Sequence, residues 1–268
     1  MQCTTVPLWY AGLPTPDINR LFQNAHDDGM LSTGSLQALD LVDIGTQIQA
    51  GLGVSVDDVS ASEVLLVTMM PDDSGSIRYA GNAGAVRDGH NMVLEALAAS
   101  QQRDQILAHT RFLNGSVLFP YAPLSAAVPL SARNYDPRHG TPLYDQTMIL
   151  LATVLAKAQE FADNGVPVRT VTLIITDGAD QHSTFARPQQ IALLVDDLLR
   201  AEQHIVAAMG VDDGATDFRQ VFREMGIRDE WIPTPGSSAG EIRRAFQVFS
   251  QSAMHVAQGG QVLSLPAP

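Results

Sequence analysis

The stretch Thr170–Gly178, TVTLIITDG, is a nearly continuous β-branched run that ends on an aspartate and a glycine. Such a run predicts a strand over Thr170–Thr176 that is covered on both faces, as in a parallel sheet flanked by helices. Val64–Met70 (VLLVTMM) has the same character. Between these two strands the chain alternates. Arg78–Ser100 carries Ala83, Val86, His90, Val93, Leu94 and Leu97 at helical spacing, and Gln105–Leu113 reads as a strand. Ser116–Phe119 follows Asn114-Gly115, the strongest short hairpin signal, and predicts an antiparallel partner. After a Pro- and Ala-rich loop, Pro142–Asp163 reads as a helix with Leu150, Leu151, Val154, Leu155 and Ala158 on one face, ended by Asn164-Gly165.

Beyond the central strand the alternation continues. Pro188–Gln203 predicts a helix, His204–Val211 a strand and Thr216–Met225 a short helix. Glu230–Pro233 predicts a short edge strand bounded by prolines, and Ala239–Val256 a final helix. The expected fold class is α/β and Rossmann-like: a mostly parallel central sheet with one antiparallel edge strand and helices on both faces. The first sixty residues do not alternate. Thr15-Pro16-Asp17 predicts the start of a short helix, and Ser35–Ala50 a longer one stopped by Gly51, with Leu36, Leu39, Leu41, Ile44 and Ile48 apolar. The expected organisation is a helical N-terminal extension (1–60) packed on a main domain (61–256), then a C-terminal tail (257–268).

Composition narrows the function classes. The chain has 268 residues, 45% of them hydrophobic, enough for a core without disulfides or structural zinc. A net charge of −13 argues against nucleic acid and anionic membrane as partners, since both require a basic footprint. Cys3 is the only cysteine and Lys157 the only lysine. No basic segment leads into an apolar core at the start, and no apolar run approaches the roughly 20 residues of a membrane span, so a cytoplasmic location is expected.

Three short segments fall where ligands collect in open α/β sheets, at the carboxyl ends of strands or the starts of helices. They are Asp72-Asp73-Ser74-Gly75-Ser76, Gly140-Thr141-Pro142-Leu143-Tyr144-Asp145 and Thr176-Asp177-Gly178. Asp72, Ser74, Ser76, Thr141 and Asp177 are all oxygen donors, which suits a hard cation and serves zinc or iron poorly. The i, i+2, i+4 spacing lets one tight turn direct three side chains inward. Two carboxylates and three hydroxyls leave a divalent ion incompletely neutralised, and Mg²⁺ keeps open positions that an outside carboxylate can take. Mg²⁺ is expected, with Mn²⁺ or Ca²⁺ as alternatives. Singly, each residue also suits a helix cap or turn.

DxSxS after a first strand, GTPLYD at a helix start and a strand ending TDG together resemble the metal-ion-dependent adhesion site of von Willebrand factor A-type (vWA) domains, over roughly residues 60–256. The resemblance implies that Ser74, Ser76 and Thr141 touch the metal directly and that Asp72 and Asp177 act largely through water. It also implies that an acidic residue of a partner protein completes the shell. Intracellular bacterial members work beside ATP-hydrolysing assembly machines, so an ATPase or assembly complex is an implied partner. Two departures stand out: Met70-Pro71 before the motif, and His139 where the family often has glycine.

Neighbouring residues receive blander expectations. Asp73 and Asp180 are expected as solvent-facing loop acids, and Asp145 as a first-turn acid outside the ligand set. His90 is expected to be packed, while His139 and His182 are candidates for the rim of the site. Trp9 and Tyr10 are expected to pin the N-terminal segment to the core. Two rival functions are a Mg²⁺-dependent phosphohydrolase with an aspartyl nucleophile and a structural subunit whose site is capped in cis by Asp27, Asp28, Asp40 or Asp43. No nucleophile and base pair stands beside the oxygen donors, so a non-enzyme is the leading expectation.

Overall fold

The computed structural model describes residues 17–40 and 44–258. Three helices come first: α1 (Ile18–Asp27), α2 (Thr33–Asp40) and α3 (Gly45–Leu52). The sheet is built from β1 (Val64–Pro71), β2 (Ile106–Arg111), β3 (Val117–Pro123), β4 (Val168–Thr176) and β5 (His204–Gly210), in the order β3-β2-β1-β4-β5. β1 pairs in parallel with β2 and β4, and β4 in parallel with β5; β3 alone runs antiparallel, against β2. Every residue of β1 is buried, as a continuous apolar run between two layers of helix requires.

The remaining helices are α4 (Gly75–Tyr79), α5 (Ala83–Ala98), α6 (Leu143–Asp163), α7 (Pro188–Arg200), α8 (Phe218–Glu224) and α9 (Ala239–Ala257). α5 and α9 pack on each other and on β1, with α9 also reaching β4. α6 lies on β1 and β4, with α7 beside it on β5. α1 and α3 pack against α6, and α2 against α7. Leu39, Ile44 and Ile48 are buried and Leu36 packs beside them. Ser32 ties the α2 segment to α7, donating from its hydroxyl and its amide to Asp197 at 2.7 and 2.8 Å.

Three elements differ from the sequence expectation. The helix expected over Arg78–Ser100 is broken into α4 and α5 at Gly81, whose φ of +75° lies in the left-handed region. The single helix expected over Ser35–Ala50 is two helices, with residues 41–43 outside the described ones. Glu230–Pro233 forms no strand; Asp229–Trp231 is a 3-10 turn, and the Pro233 carbonyl accepts from the Gly210 amide, covering the edge of β5. Trp231 is buried there. Cys3, Trp9, Tyr10 and residues 259–268 lie outside the described residues. Among the described residues no helix is long and apolar enough to cross a membrane.

α5 and α9 approach closely because Gly89 has no side chain: a β-carbon there would fall 2.1 Å from the Phe246 ring. Gly84, earlier in the same helix, faces nothing closer than the Arg87 guanidinium at 3.8 Å. Gly84→Ala is therefore expected to be neutral or to stabilise by up to about 1 kcal/mol. Gly89→Ala is expected to destabilise by about 1–3 kcal/mol despite the same gain in helix propensity. Paired denaturant titrations check the opposite signs.

Candidate metal centre

The site follows from the register of the two central strands. Met70 lies opposite Ile174 and Pro71 opposite Ile175, so the chains leave β1 and β4 side by side at Asp72 and Thr176. The Thr176 hydroxyl donates to Asp72 Oδ2 at 2.6 Å, and the Ser74 amide donates to Asp72 Oδ1 at 2.6 Å. Ser76 donates its hydroxyl to Asp177 Oδ1 at 2.6 Å. That commits its only hydroxyl hydrogen, so in the 2.8 Å contact between Ser74 Oγ and Ser76 Oγ the hydroxyl of Ser74 is the donor. Thr141 joins from the start of α6. A β-carbon at Gly178 would stand 3.8 Å from Thr141 Oγ1 and 3.9 Å from Ser76 Oγ, so both hydroxyls face the same glycine. All five expected donors converge, and Asp72, Ser74, Thr141 and Asp177 are buried.

A frame that sequence reading missed holds these donors. The Tyr135 phenol donates to the Asp72 carbonyl at 2.5 Å, from a loop that reads only as Pro- and Ala-rich. The Asp73 carbonyl accepts from the amides of Arg138 and His139, and the Gly75 amide donates to the His139 carbonyl at 3.1 Å. His182, expected at the rim, accepts from the Thr141 amide through Nδ1 at 2.9 Å, and its ring packs so close to Gly140 that a β-carbon there would lie 2.7 Å from it. Thr141 is thus positioned by a side chain 41 residues away.

Two neighbouring acids, Asp73 and Asp180, depart from expectation, and a third, Asp145, stands in the first turn of α6 as expected but does more. Asp73 does not face solvent: it is buried and accepts from the Asn114 amide at 3.0 Å. Asp180 accepts from the Tyr144 amide and the Ser183 hydroxyl, stitching its loop to α6. Asp145 is buried and accepts from the amides of Thr184, Phe185 and Ala186 and from the Thr184 hydroxyl, so it orders the loop after β4 as well as sitting in the first turn of α6. His90 is packed as expected, its Nε2 3.0 Å from the Thr110 hydroxyl.

Burial sets the electrostatics. Loss of water pushes the Asp72 carboxyl above its ordinary value despite the hydrogen bonds from Ser74 and Thr176. Burial likewise raises Asp177 to about 6, against the hydrogen bond from Ser76 and with the Asp72 charge adding to the rise. Asp73 is raised to about 6 for the same first reason. Among the described residues no arginine, lysine or histidine forms an ion pair with Asp72 or Asp177. Two buried carboxylates without a cation, ringed by three hydroxyls, fit a hard divalent ion bound through oxygen. No group of three or more His, Cys, Asp or Glu capable of holding a metal occurs among the described residues.

The fold is that of a von Willebrand factor A-type domain. Among solved structures, the pilus adhesin SpaC of Lactobacillus rhamnosus GG in its open conformation matches with a TM-score of 0.51 at 14% identity over 74% of this chain. A second form of the same adhesin gives 0.52 at 12% identity, also over 74%. The chain covers only 30% and 31% of the length of those adhesin chains, and at such identities the likeness is one of fold. The SpRpn10 VWA domain matches with a TM-score of 0.49 at 12% identity, over 75% of this chain and 98% of that one. Comparison with protein-family models gave no match, and neither did comparison with curated proteins.

A carboxyl whose folded value lies above its unfolded one binds more protons when folded, so it costs stability once ionised and the cost disappears on acidification. For Asp177, raised to about 6 from 3.8, that window runs from about pH 7 down to 4. In metal-free protein, Asp177→Asn is therefore expected to melt at or above the wild-type temperature at pH 7.5. It is also expected to show a shallower rise in Tm between pH 7 and 5. Melting curves in chelator across that range check this.

Proposed function

We propose that the chain is a divalent-metal-dependent protein-binding module, in which a cation held by Asp72, Ser74, Ser76, Thr141 and Asp177 recruits an acidic residue of a partner protein. The observation that carries this reading is the pair of buried carboxylates, Asp72 and Asp177, with no basic partner among the described residues. When bound, the ion supplies the missing positive charge and, as Mg²⁺, a coordination position for an outside carboxylate. The chain's own residues prepare for it. Asp177 draws the hydroxyl hydrogens of Ser76 and, through it, Ser74 toward itself, which leaves a lone pair on each serine oxygen. Thr176 and the Ser74 amide fix the Asp72 carboxylate, and His182 fixes the backbone of Thr141. In this reading residues 61–256 are the recruiting domain and 1–60 an extension, of which the described helices α1, α2 and α3 pack against it.

The rival readings find less support among the described residues, outside which Asp43 lies. An aspartyl phosphohydrolase typically sets a Lys or Arg against its nucleophile; here the Lys157 amine is buried about 21 Å along α6 from Leu143, bonded to the Val54 carbonyl and Glu160, and no arginine among the described residues forms an ion pair with Asp72. Both oxygens of Asp72 are engaged and the residue is fully buried. Capping in cis by Asp28 is disfavoured because its carboxylate accepts from Gln159, about 24 Å along α6 from the site end. Asp27, next to it, accepts from Gln23.

Mg²⁺ at about a hundred times its Kd is expected to stabilise the protein by about 2.7 kcal/mol, read as a rise in Tm at pH 7.5. The rise is expected to shrink as pH falls through about 6, where protons compete for Asp177, and to vanish in Asp72→Ala, Ser74→Ala and Thr141→Ala. Capture of partners from the native cell extract is expected to require Mg²⁺ and to be lost with chelator. A Tm that ignores Mg²⁺, or capture that survives both chelator and substitution, refutes the reading.

A further inference from the structure

The two edges of the site carry opposite charge. On one edge, Arg78 stands two residues past Ser76 on α4, and the Arg138 amide is bonded to the Asp73 carbonyl. Arg138 Nη2 lies 2.6 Å from Asp136 Oδ2 and Arg78 Nη1 3.5 Å from Asp136 Oδ1, so two guanidinium groups share one carboxylate and leave one positive charge over. Both arginine side chains are more than half exposed, as is that of His139 beside them. In a chain with net charge −13, a basic edge at this place runs against the composition. Tyr79, the last residue of α4, is 91% exposed, and its ring passes 3.4 Å from where a Gly75 β-carbon would be. On the other edge, the Val211 amide donates to the Thr176 carbonyl at 2.9 Å, which sets exposed Asp212 and Asp213 beside Asp177. Asp213 is held by the amides of Ala215 and Thr216 and by the Thr216 hydroxyl.

We infer that this rim selects the residues flanking the recruited carboxylate. The partner is a protein segment with a second acidic residue on the Arg78–Arg138 side, a basic residue on the Asp212–Asp213 side, and an apolar side chain that covers Tyr79. The inference rests on the reading that the cation site recruits a partner's carboxylate. The cation alone would accept any exposed Glu or Asp; discrimination among partners has to come from groups around it. Charges at an exposed rim act mainly on encounter and register, so each contributes a modest factor to a choice that is sharp only in combination.

The test is selection from displayed heptapeptide loops with a fixed central Glu and random flanks, on the full chain with Mg²⁺, beside a library with central Gln. Wild type is expected to enrich loops with an acid on one flank and a base on the other. Arg78→Glu/Arg138→Glu is expected to replace the acidic preference by a basic one. Asp212→Lys/Asp213→Lys is expected to reverse the other flank, and Tyr79→Ser to lose the apolar preference. Each reversed charge is expected to change binding of a synthetic selected peptide by about two- to five-fold, more weakly at high salt. The Mg²⁺-induced rise in Tm, retained in every variant, shows that the site itself is intact. Glu loops enriched over Gln loops with the same flanks on wild type and variants overturn the rim proposal alone. No preference for Glu over Gln overturns carboxylate recruitment and the rim proposal with it.

Discussion

The 2.6 Å hydrogen bond from the Thr176 hydroxyl to the Asp72 carboxylate joins the ends of the two central strands, and the rest of the site is arranged around it. It forms only in the observed β1–β4 register, because a slip of one residue would turn each strand-end side chain to the opposite face. Thr176 Oγ1 also accepts from the Gly178 amide at 3.1 Å, which bends the chain directly after β4. That bend directs Asp177 at Ser76 rather than along the strand. A single hydroxyl therefore fixes one carboxylate and the turn that carries the other.

The arrangement works against folding in one respect. Burying two carboxylates near each other costs free energy that amide and hydroxyl donors only partly restore, which is why both remain raised. The Tyr135 phenol, raised by burial and by the neighbouring Asp charges, is held neutral in the same enclosure and contributes a hydrogen bond to the Asp72 backbone rather than charge. The compensation lies elsewhere, in a sheet whose central strand is buried throughout and in helices that close over both of its faces. Local polarity is tolerated because the surrounding core over-determines the strand positions.

Much of this was legible in the sequence because it depends on short-range pattern. Continuous apolar runs marked β1 and β4, Asn114-Gly115 marked the β2–β3 hairpin, and the three oxygen-rich segments sat at their ends. What was not legible depends on distant pairing or on one backbone angle. Gly81 breaks a helix whose apolar spacing runs straight through it. Glu230–Pro233 has the composition of an edge strand, yet the Pro233 carbonyl meets β5 from a turn. Asp73 reads as a loop acid and is enclosed by the 131–139 segment, while His182 reaches Thr141 across a gap that no local pattern records. The charge asymmetry of the rim depends on which loops the sheet order brings together.

Lys157 is the only lysine in the sequence, and its amine is enclosed under α6 between the Val54 carbonyl, Glu160 and the face of Phe161. Burial lowers its affinity for a proton, and the Glu160 charge opposes the loss. The folded surface therefore offers no lysine ε-amine to acylating reagents, amine-directed cross-linkers or isopeptide-forming conjugation. Any such adduct at Lys157 would report that the packing between α6 and the 53–59 segment had opened, which makes this residue an internal gauge of local unfolding.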